Sequence, residues 1–428
     1  MDDLSSHASQ LGISDSNSPQ EPFDPRQIAR LLSEYYELMA RMRYFSPDLI
    51  KYPPHDPPID VAFAQSLGLE PQVIELLQVL PYVEGLHNED EFILGGSFAD
   101  FRKNRVLEQS RDPDFACPQG DYEEENGKYV MPWVLVLNEC GNHGSIMYFD
   151  TRNGHITTIW QGGAGGGNAD PYFYGKFGWS TALEHEHPVN KNRIEHFPSR
   201  PAKDLFADYT NRLMTLEWIP FNTYGPRIFE KSAKEEYVDL KLLFETYGWP
   251  GELDAKGFDA ASRRWKEFNR IRREATKLMT EVQDLEKQSL KLQKHIEKTL
   301  QSKDEDVTRT PEEIATMEQH LQAWRRNLEW VAIQKQEAVE EAEGVNSEDS
   351  ALEKAWEKHI QNGIERKMRD LSWFRNDGSK YATEEKMRDL EVGIAALEER
   401  MKDLKSLPKI AFDAIKSQED EGQWLCCR

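Results

Sequence analysis

The amino-acid sequence predicts an α+β fold, an antiparallel sheet with flanking helices, followed by an all-α region of coiled-coil or helical-hairpin type. Three observations support this prediction. The chain has 428 residues, more than a single hydrophobic core usually spans, so two structured parts are expected. Short apolar runs separated by Gly, Asn and Asp occupy the first half, which is typical of strands. From about residue 271, apolar residues recur at alternating steps of four and three, which is typical of packed helices.

Changes of composition divide the chain into predicted segments. These are a disordered leader at 1–22, an α+β domain at 23–225, a linker helix at 226–258, a helical hairpin at 259–345, and further helices with a tail at 346–428. The leader is rich in Asp, Ser, Gln and Pro and lacks the basic and then apolar order of a signal peptide. No stretch approaches the ~18 to 20 apolar residues that cross a bilayer, so no membrane span is expected.

Four helices are predicted before residue 250. The first begins at Pro25, and the other three span 71–80, 204–216 and 237–247. The first has Asp24 as a cap ahead of a first-turn proline, and the prolines at 53–58 stop it, because proline lacks a backbone donor. The fourth is closed by Gly248, a residue that favours the left-handed conformation at helix ends. These helices are expected to flank a sheet.

The predicted strands are short apolar runs. They lie at 92–94, 133–137, 145–149 and 155–160. The last two runs are joined by a segment that contains Asn153-Gly154, and this dipeptide between apolar runs is the strongest short-range signal of a hairpin. The strands are therefore predicted to pair antiparallel. A long loop rich in Gly, His and Pro is expected at 162–200.

Three stripes of apolar residues predict the helices of the second half. The stripes are Ile271, Ala275, Leu278, Val282, Leu285, Ser289, Leu292 and Ile296; Ile314, Met317, Leu321, Trp324, Leu328, Val331, Lys335 and Ala338; and Met387, Leu390, Ile394, Leu397, Met401 and Leu404. Thr310, Pro311 and Glu313 form a capping-box pattern at the start of the second stripe. The polar break at 301–309 is short, so the first two helices are predicted to pair antiparallel within one chain, with Leu285 in their buried seam.

The charge balance excludes two classes of partner. The formal net charge is −23, with 76 acidic and 53 basic residues, so the chain repels phosphate backbones and anionic lipids. Neither nucleic acid nor a membrane surface is an expected partner. The four cysteines show no metal-ligand or disulfide spacing, which fits a reducing compartment, the cytoplasm or the nucleus.

The glycine run at 162–167 raises the question of a phosphate-binding loop. Glycines let backbone N–H groups approach an anion, but this run matches neither of the two phosphate-loop spacings. It is followed by Asn168, Ala169, Asp170 and Pro171 rather than by a helix start. The run is therefore interpreted as a flexible loop.

The densest set of potential metal ligands surrounds His185 and His187, which lie between Glu184 and Glu186 and ahead of His196. Two histidines two residues apart share a side only in an extended segment, and the HExxH pattern of zinc proteases is absent. We interpret these histidines as solvated side chains of a polar loop. A metal site there is kept as an alternative, and no metal ligand or cofactor is assigned.

Other reactive residues have simpler explanations. Cys140 lies three positions before His143, but catalytic partners usually meet through the fold, so Cys140 is interpreted as a buried and inert thiol. The carboxylates of 123–125 are expected in a solvated acidic loop. Cys426 and Cys427 do not form a prenylation motif, and their lipidation is left open. No catalytic residue is assigned.

Several short segments between about 60 and 220 suggest a family. They are Leu67-Gly68-Leu69-Glu70-Pro71, the run at 134–137, Asn142-His143-Gly144, the run at 146–150 and the helix at 204–213. In this order they resemble the early helix, central strand, Gly-containing turn, aspartate-ended strand and final helix of the SMI1/KNR4-like (SUKH) superfamily, found in fungal cell-wall regulators and bacterial toxin-immunity proteins. The resemblance implies a non-enzymatic α+β module that binds other proteins, and it adds no catalytic residues.

These observations predict a non-enzymatic, protein-binding adaptor or regulatory protein. Its expected partners are other proteins, and it is expected to be a monomer or a coiled-coil oligomer. Two alternatives stay open: a metal-dependent enzyme that uses the loop of His185 and His187, and a structural coiled-coil protein whose first half is a docking platform.

Overall fold

The computed structural model describes residues 24–86, 90–111, 130–139, 144–160, 167–173, 194, 197–223, 225–233, 235–301, 310–346, 352–377 and 383–406. The chain divides into two compact units between Phe258 and Asp259. The first unit combines short helices with small antiparallel sheets, and long helices supply the described part of the second unit. The predicted mixture of helices and antiparallel strands is therefore confirmed.

Helices α1 to α6 belong to the first unit. They are α1 (Pro25–Arg41), α2 (Val61–Ser66), α3 (Pro71–Val79), α4 (Asn104–Gln109), α5 (Ala202–Met214) and α6 (Glu235–Thr246). Asp24 caps α1 as predicted, because its carboxylate accepts a hydrogen bond from the N–H of Arg26 at 2.9 Å. The predicted end of α6 is also confirmed, since Gly248 has a φ of 99°, in the left-handed region that favours glycine.

Short strand pairs connect these helices. Strand β1 (Ile50–Lys51) pairs with β2 (Tyr82–Val83), β3 (Glu91–Ile93) with β4 (Gly96–Ser97), and β10 (Ile219–Asn222) with β11 (Pro226–Phe229), all antiparallel. Gly96 is required in β4, because a Cβ atom built there would lie 2.5 Å from Asn138 Nδ2 and 2.6 Å from the carbonyl oxygen of Ser145.

The largest sheet among the described residues has five strands. They are β5 (Val134–Val136), β6 (Ser145–Asp150), β7 (His155–Trp160), β8 (Gly167–Asn168) and β9 (Ser199–Pro201). Strands β5, β6 and β7 follow in order, while β8 and β9 both pair with β7, at its end and its beginning respectively. The hairpin predicted from Asn153-Gly154 is confirmed, since Asp150 pairs with His155 and Gly154 has a φ of 70°.

A buried salt bridge connects the strands to α5. The Nε of Arg200, in β9, donates to the carboxylate of Asp170 at 2.6 Å, and its Nη2 donates to Asp208 of α5 at 2.9 Å. Arg200 and Asp170 are both almost fully buried, so each charge depends on the other for its solvation. This pair fixes the position of β9 against the residues that follow β8.

Four helices form the described part of the second unit. They are α7 (Ala255–Gln301), α8 (Pro311–Asn346), α9 (Leu352–Asp377) and α10 (Glu384–Ser406). All four contribute to one apolar cluster, formed by Phe268, Ile271, Ala275, Ala342, Trp356, Ile360, Ile364, Leu371 and Ile394. The capping box at the start of α8 is confirmed, because Thr310 and Glu313 exchange backbone-to-side-chain hydrogen bonds at 2.8 and 3.3 Å. None of the described helices is both long and apolar enough to cross a membrane.

The first predicted apolar stripe is buried over only part of its length. Ile271 and Ala275 are fully buried, whereas Leu285 is 44% exposed, so the prediction that Leu285 lies in a buried seam is wrong. The apolar cluster contacts α7 up to Met279. Leu285 lies about 9 Å farther along the helix, at a rise of ~1.5 Å per residue. Ser289, four residues beyond Leu285, is only 3% exposed, so repeat spacing identified a helix face but not which of its residues are covered.

Candidate functional site

The motifs that the sequence brings to attention lie almost entirely outside the described residues. This holds for His185, His187 and His196, for Cys140 and His143, for the acidic run 123–125, and for Cys426 and Cys427. Of the glycine run, the structure describes Gly167, which lies in β8. Within the part of the chain that the structure describes, no group of three His, Cys, Asp or Glu side chains is arranged to hold a metal ion.

A cleft of about 320 Å³ lies in the second unit, between α7, α9 and α10. Its charged lining consists of Arg270, Glu274, Lys277, Glu281, His359, Arg366, Lys367 and Arg400. Its apolar lining consists of Leu278, Ile360 and Leu397, with Gly363 between them. The cleft therefore combines an apolar surface with cationic side chains, in a chain whose net charge is −23.

His359 connects three helices next to this cleft. Its Nδ1 donates to the carboxylate of Glu341 in α8, and its Nε2 donates to Glu274 of α7 at 3.4 Å. Both acceptors are carboxylates, so the ring must carry two N–H groups and a positive charge. Burial alone would lower the pKa of His359, but the hydrogen bonds to Glu274 and Glu341 outweigh it and raise this pKa above its ordinary value.

Glu341 is the most buried acid of this network, with a side chain that is only 3% exposed. Besides His359, it accepts hydrogen bonds from Asn362 at 2.7 Å and from Arg366 at 3.1 Å. Burial opposes ionisation of Glu341, yet the hydrogen bonds from these three residues lower its pKa below the ordinary range. The carboxylate is therefore held ionised by α9.

Glu274 accepts hydrogen bonds from cationic side chains of three helices. Its oxygens accept hydrogen bonds from Arg270 Nε at 3.1 Å, from Arg400 Nη1 at 2.7 Å, and from His359. Burial opposes its ionisation, but the hydrogen bonds from His359 and Arg400 lower the pKa of Glu274. With Glu341, it makes one ionic network to which all four helices contribute a side chain.

Two cations of the cleft keep capacity to bind. Arg400 also donates its Nε to Glu267, but its buried Nη2 has no hydrogen-bond acceptor among the described residues, although the side chain is only 8% exposed. The ammonium group of Lys367 forms no ion pair with any residue that the structure describes. It lies against α10, since a Cβ atom built on Gly393 would be 3.0 Å from Lys367 Nζ.

This arrangement is suited to ionic recognition. A general base needs a nitrogen or oxygen lone pair free to take a proton from a substrate, and both ring nitrogens of His359 already donate to carboxylates. The buried groups of the network therefore join the helices to one another. The surface of the cleft is formed by charged side chains, most of them cations, and by the apolar side chains between them.

Sequence reasoning missed the network because its members lie far apart in a chain that is rich in charges. One local signal was present. Glu274, Glu341 and His359 each directly precede a buried apolar residue of the shared cluster, which are Ala275, Ala342 and Ile360. A charged residue beside a seam position is common at the edges of packed helices, so this signal does not select partners.

The chain was compared with protein-family models, with curated proteins and with solved structures, and none of them matches it.

Proposed function

We propose that this protein is a non-enzymatic adaptor that binds other proteins, with the cleft of the second unit as one binding surface. The observation that supports this function most is that some charged groups of the cleft are paired with one another while others are not. Glu274 and Glu341 are paired with His359 and with arginines of the same helices, whereas Lys367 and the Nη2 of Arg400 have no acceptor among the described residues. Such a surface recognises a partner by charge and shape.

We further propose that α7 and α8 form an antiparallel helical hairpin of coiled-coil type. Two connections support it. Glu286 of α7 forms an ion pair with Lys335 of α8 at 2.8 Å, and His359 joins Glu274 of α7 to Glu341 of α8. The later residue of α7 thus corresponds to the earlier residue of α8, which is the order of antiparallel helices. Such a hairpin would present the cleft on a rigid support.

The first unit is proposed to be the SMI1/KNR4-like module that the sequence resembles. Its α+β character is compatible with that family, and the resemblance itself stays a prediction. In this proposal the adaptor has two binding parts, one in each unit, in the cytoplasm or the nucleus. The structural coiled-coil alternative differs in requiring no cleft-dependent partner.

The adaptor function is tested by identifying partners of the full chain by cross-linking and mass spectrometry, and then by measuring binary binding with purified proteins. We expect a saturable interaction that survives purification of both components. The comparison of residues 1–258 with residues 259–428 assigns each partner to a unit. If no purified candidate binds either unit or the full chain, the adaptor proposal is wrong.

A further inference from the structure

The charges around the cleft do not cancel. The lining residues and their buried partners Glu267 and Glu341 include the cations Arg270, Lys277, His359, Arg366, Lys367 and Arg400. Six positive charges stand against four carboxylates, which are Glu267, Glu274, Glu281 and Glu341, leaving an excess of two. Lys367, which forms no ion pair with any described residue, accounts for part of this excess.

Of Lys367 and Arg400, Arg400 has the donor whose lack of an acceptor among the described residues is the more unfavourable. A buried guanidinium N–H without an acceptor is disfavoured, because it has lost its hydration and gained no hydrogen bond. Arg400 lines the cleft, and its side chain is only 8% exposed. An oxyanion that enters the cleft beside Arg400 would meet a guanidinium that already has a fixed position, through Glu267 and Glu274.

The apolar lining gives the ligand a second property. Leu278, Ile360 and Leu397 contribute from three helices, and Gly363 leaves space among them. A Cβ atom built on Gly363 would already contact Leu397 Cδ1 at 3.4 Å, so a larger side chain there would occupy the cleft. The volume of about 320 Å³ is in the range of sites for organic ligands of several functional groups, ~300 to 1,000 Å³, and exceeds what a single inorganic anion fills.

We propose that the cleft binds an acidic peptide segment of a partner protein, with two carboxylates and one apolar side chain as its recognised groups. This inference rests on the adaptor function proposed above and specifies the partner's chemistry. Lys367 and Arg400 bind the carboxylates, and Leu278, Ile360 and Leu397 contact the apolar side chain. The cationic excess selects an acidic segment over a basic or neutral one, and the apolar lining selects a peptide over a simple anion.

The test measures binding of the full chain to a short fluorescent peptide that alternates Asp and Glu with Leu, by anisotropy. Two control peptides replace either the acidic residues with Asn and Gln, or Leu with Ser. We expect both controls to bind at least about tenfold more weakly, and affinity to fall with added salt. Inorganic phosphate at equal ionic strength is the competitor, and we expect it to compete no better than chloride.

Lys367→Glu should weaken binding of the acidic peptide by about tenfold or more, because it reverses a charge that forms no ion pair within the described part of the chain. Lys402→Glu is the matched control, since it makes the same charge change on α10 at a side chain that is 76% exposed and outside the cleft lining. Gly363→Leu is a second variant that fills the apolar space while favouring the helix. We expect it to weaken the Leu-containing peptide and leave the Ser-containing peptide unchanged.

Equal binding of the acidic and the neutral peptide, or equal effects of Lys367→Glu and Lys402→Glu, would overturn the inference. Displacement by phosphate alone would also overturn it, by showing a simple anion site. A failed peptide experiment alongside a purified partner that still binds the full chain would reject the cleft and leave the adaptor function standing. Loss of both would reject the adaptor function itself.

Discussion

At the scale of single residues, Glu341 is a buried charge of the helical unit whose removal should be costly. Its carboxylate is almost fully buried and holds His359, Asn362 and Arg366. Replacing Glu341 with Ala leaves these donors without their acceptor, so we expect the free energy of unfolding to fall by about 3 to 5 kcal/mol. Urea denaturation followed by far-UV circular dichroism measures this change.

Glu340→Ala is the matched control for that experiment. Glu340 is exposed and its carboxylate accepts a hydrogen bond from Gln336 at 2.8 Å on the helix surface. A surface pair of this kind contributes under about 0.5 kcal/mol. Similar losses from the two substitutions would show that Glu341 does not hold the buried network.

His359 predicts how stability depends on pH. Its pKa is raised above the ordinary value of 6.5, so its stabilising effect is complete below that value and is lost as pH rises through the folded-state pKa. The pKa values of Glu274 and Glu341 are lowered, so their effect is present above the ordinary value of 4.5 and is lost as pH falls through the folded-state pKa. The network is therefore most stabilising between these two ordinary values.

The measurement compares the full chain with its His359→Gln variant between about pH 6 and about pH 9. We expect the free energy of unfolding of the unsubstituted protein to decline with pH more steeply than that of the variant. The half-buried His55 and His155 have lowered pKa values, but they occur in both proteins and cancel in the difference. Parallel pH profiles would contradict a charged His359 between its carboxylates.

The histidine loop gives a separate prediction, which follows from the sequence alone. Because His185 and His187 match no zinc-protease pattern, we expect no stoichiometric metal in the protein as purified. Elemental analysis of the protein and of its H185A/H187A variant provides the measurement. Stoichiometric zinc that disappears in the variant would favour the metal-dependent enzyme.

At the scale of elements, the packing of α7 and α8 separates apolar residues that look equivalent in the repeat. Val331 of α8 is fully buried, whereas Leu285 of α7 is 44% exposed. Val331→Asp places an unpaired charge among apolar atoms, so we expect it to lower the free energy of unfolding by about 3 kcal/mol or more. Leu285→Asp should change it by less than about 1 kcal/mol.

Thermal denaturation of the two variants under one buffer condition gives this comparison. A larger loss for Leu285→Asp would mean that Leu285 is covered in solution, for example by a second copy of the chain. Sedimentation of the Leu285→Asp variant and of the unsubstituted protein then decides the point, since a dimer formed through this face would dissociate in the variant.

At the scale of the whole molecule, the division between Phe258 and Asp259 predicts two units that fold separately. We expect residues 259–407 expressed alone to give a strongly helical circular dichroism spectrum, and residues 24–258 to give a mixed one. The physical reason is that each has its own apolar cluster, with Phe268, Trp356 and Ile394 in one and Val134, Tyr148 and Ile159 in the other. A C-terminal fragment without helical signal would contradict this division.

Local signals in the sequence determined where many elements begin and end. Asp24 ahead of Pro25, Thr310 with Glu313, Asn153-Gly154 and Gly248 each act within one turn of the backbone, through a hydrogen bond or a permitted φ. Each of these signals therefore acts through its nearest neighbours in the sequence, and the structure confirms all four signals.

Only the tertiary structure decided which charges meet and which apolar residues are covered. Glu274, Glu341, His359 and Arg400 are separated by up to 126 residues and come together because four helices pack around one apolar cluster. The same packing leaves Leu285 44% exposed, although Ser289, the next residue of its stripe, is only 3% exposed. Repeat spacing specifies a face of each helix, whereas a buried ion pair depends on which faces meet and at what height, and that is a property of the packed helices together.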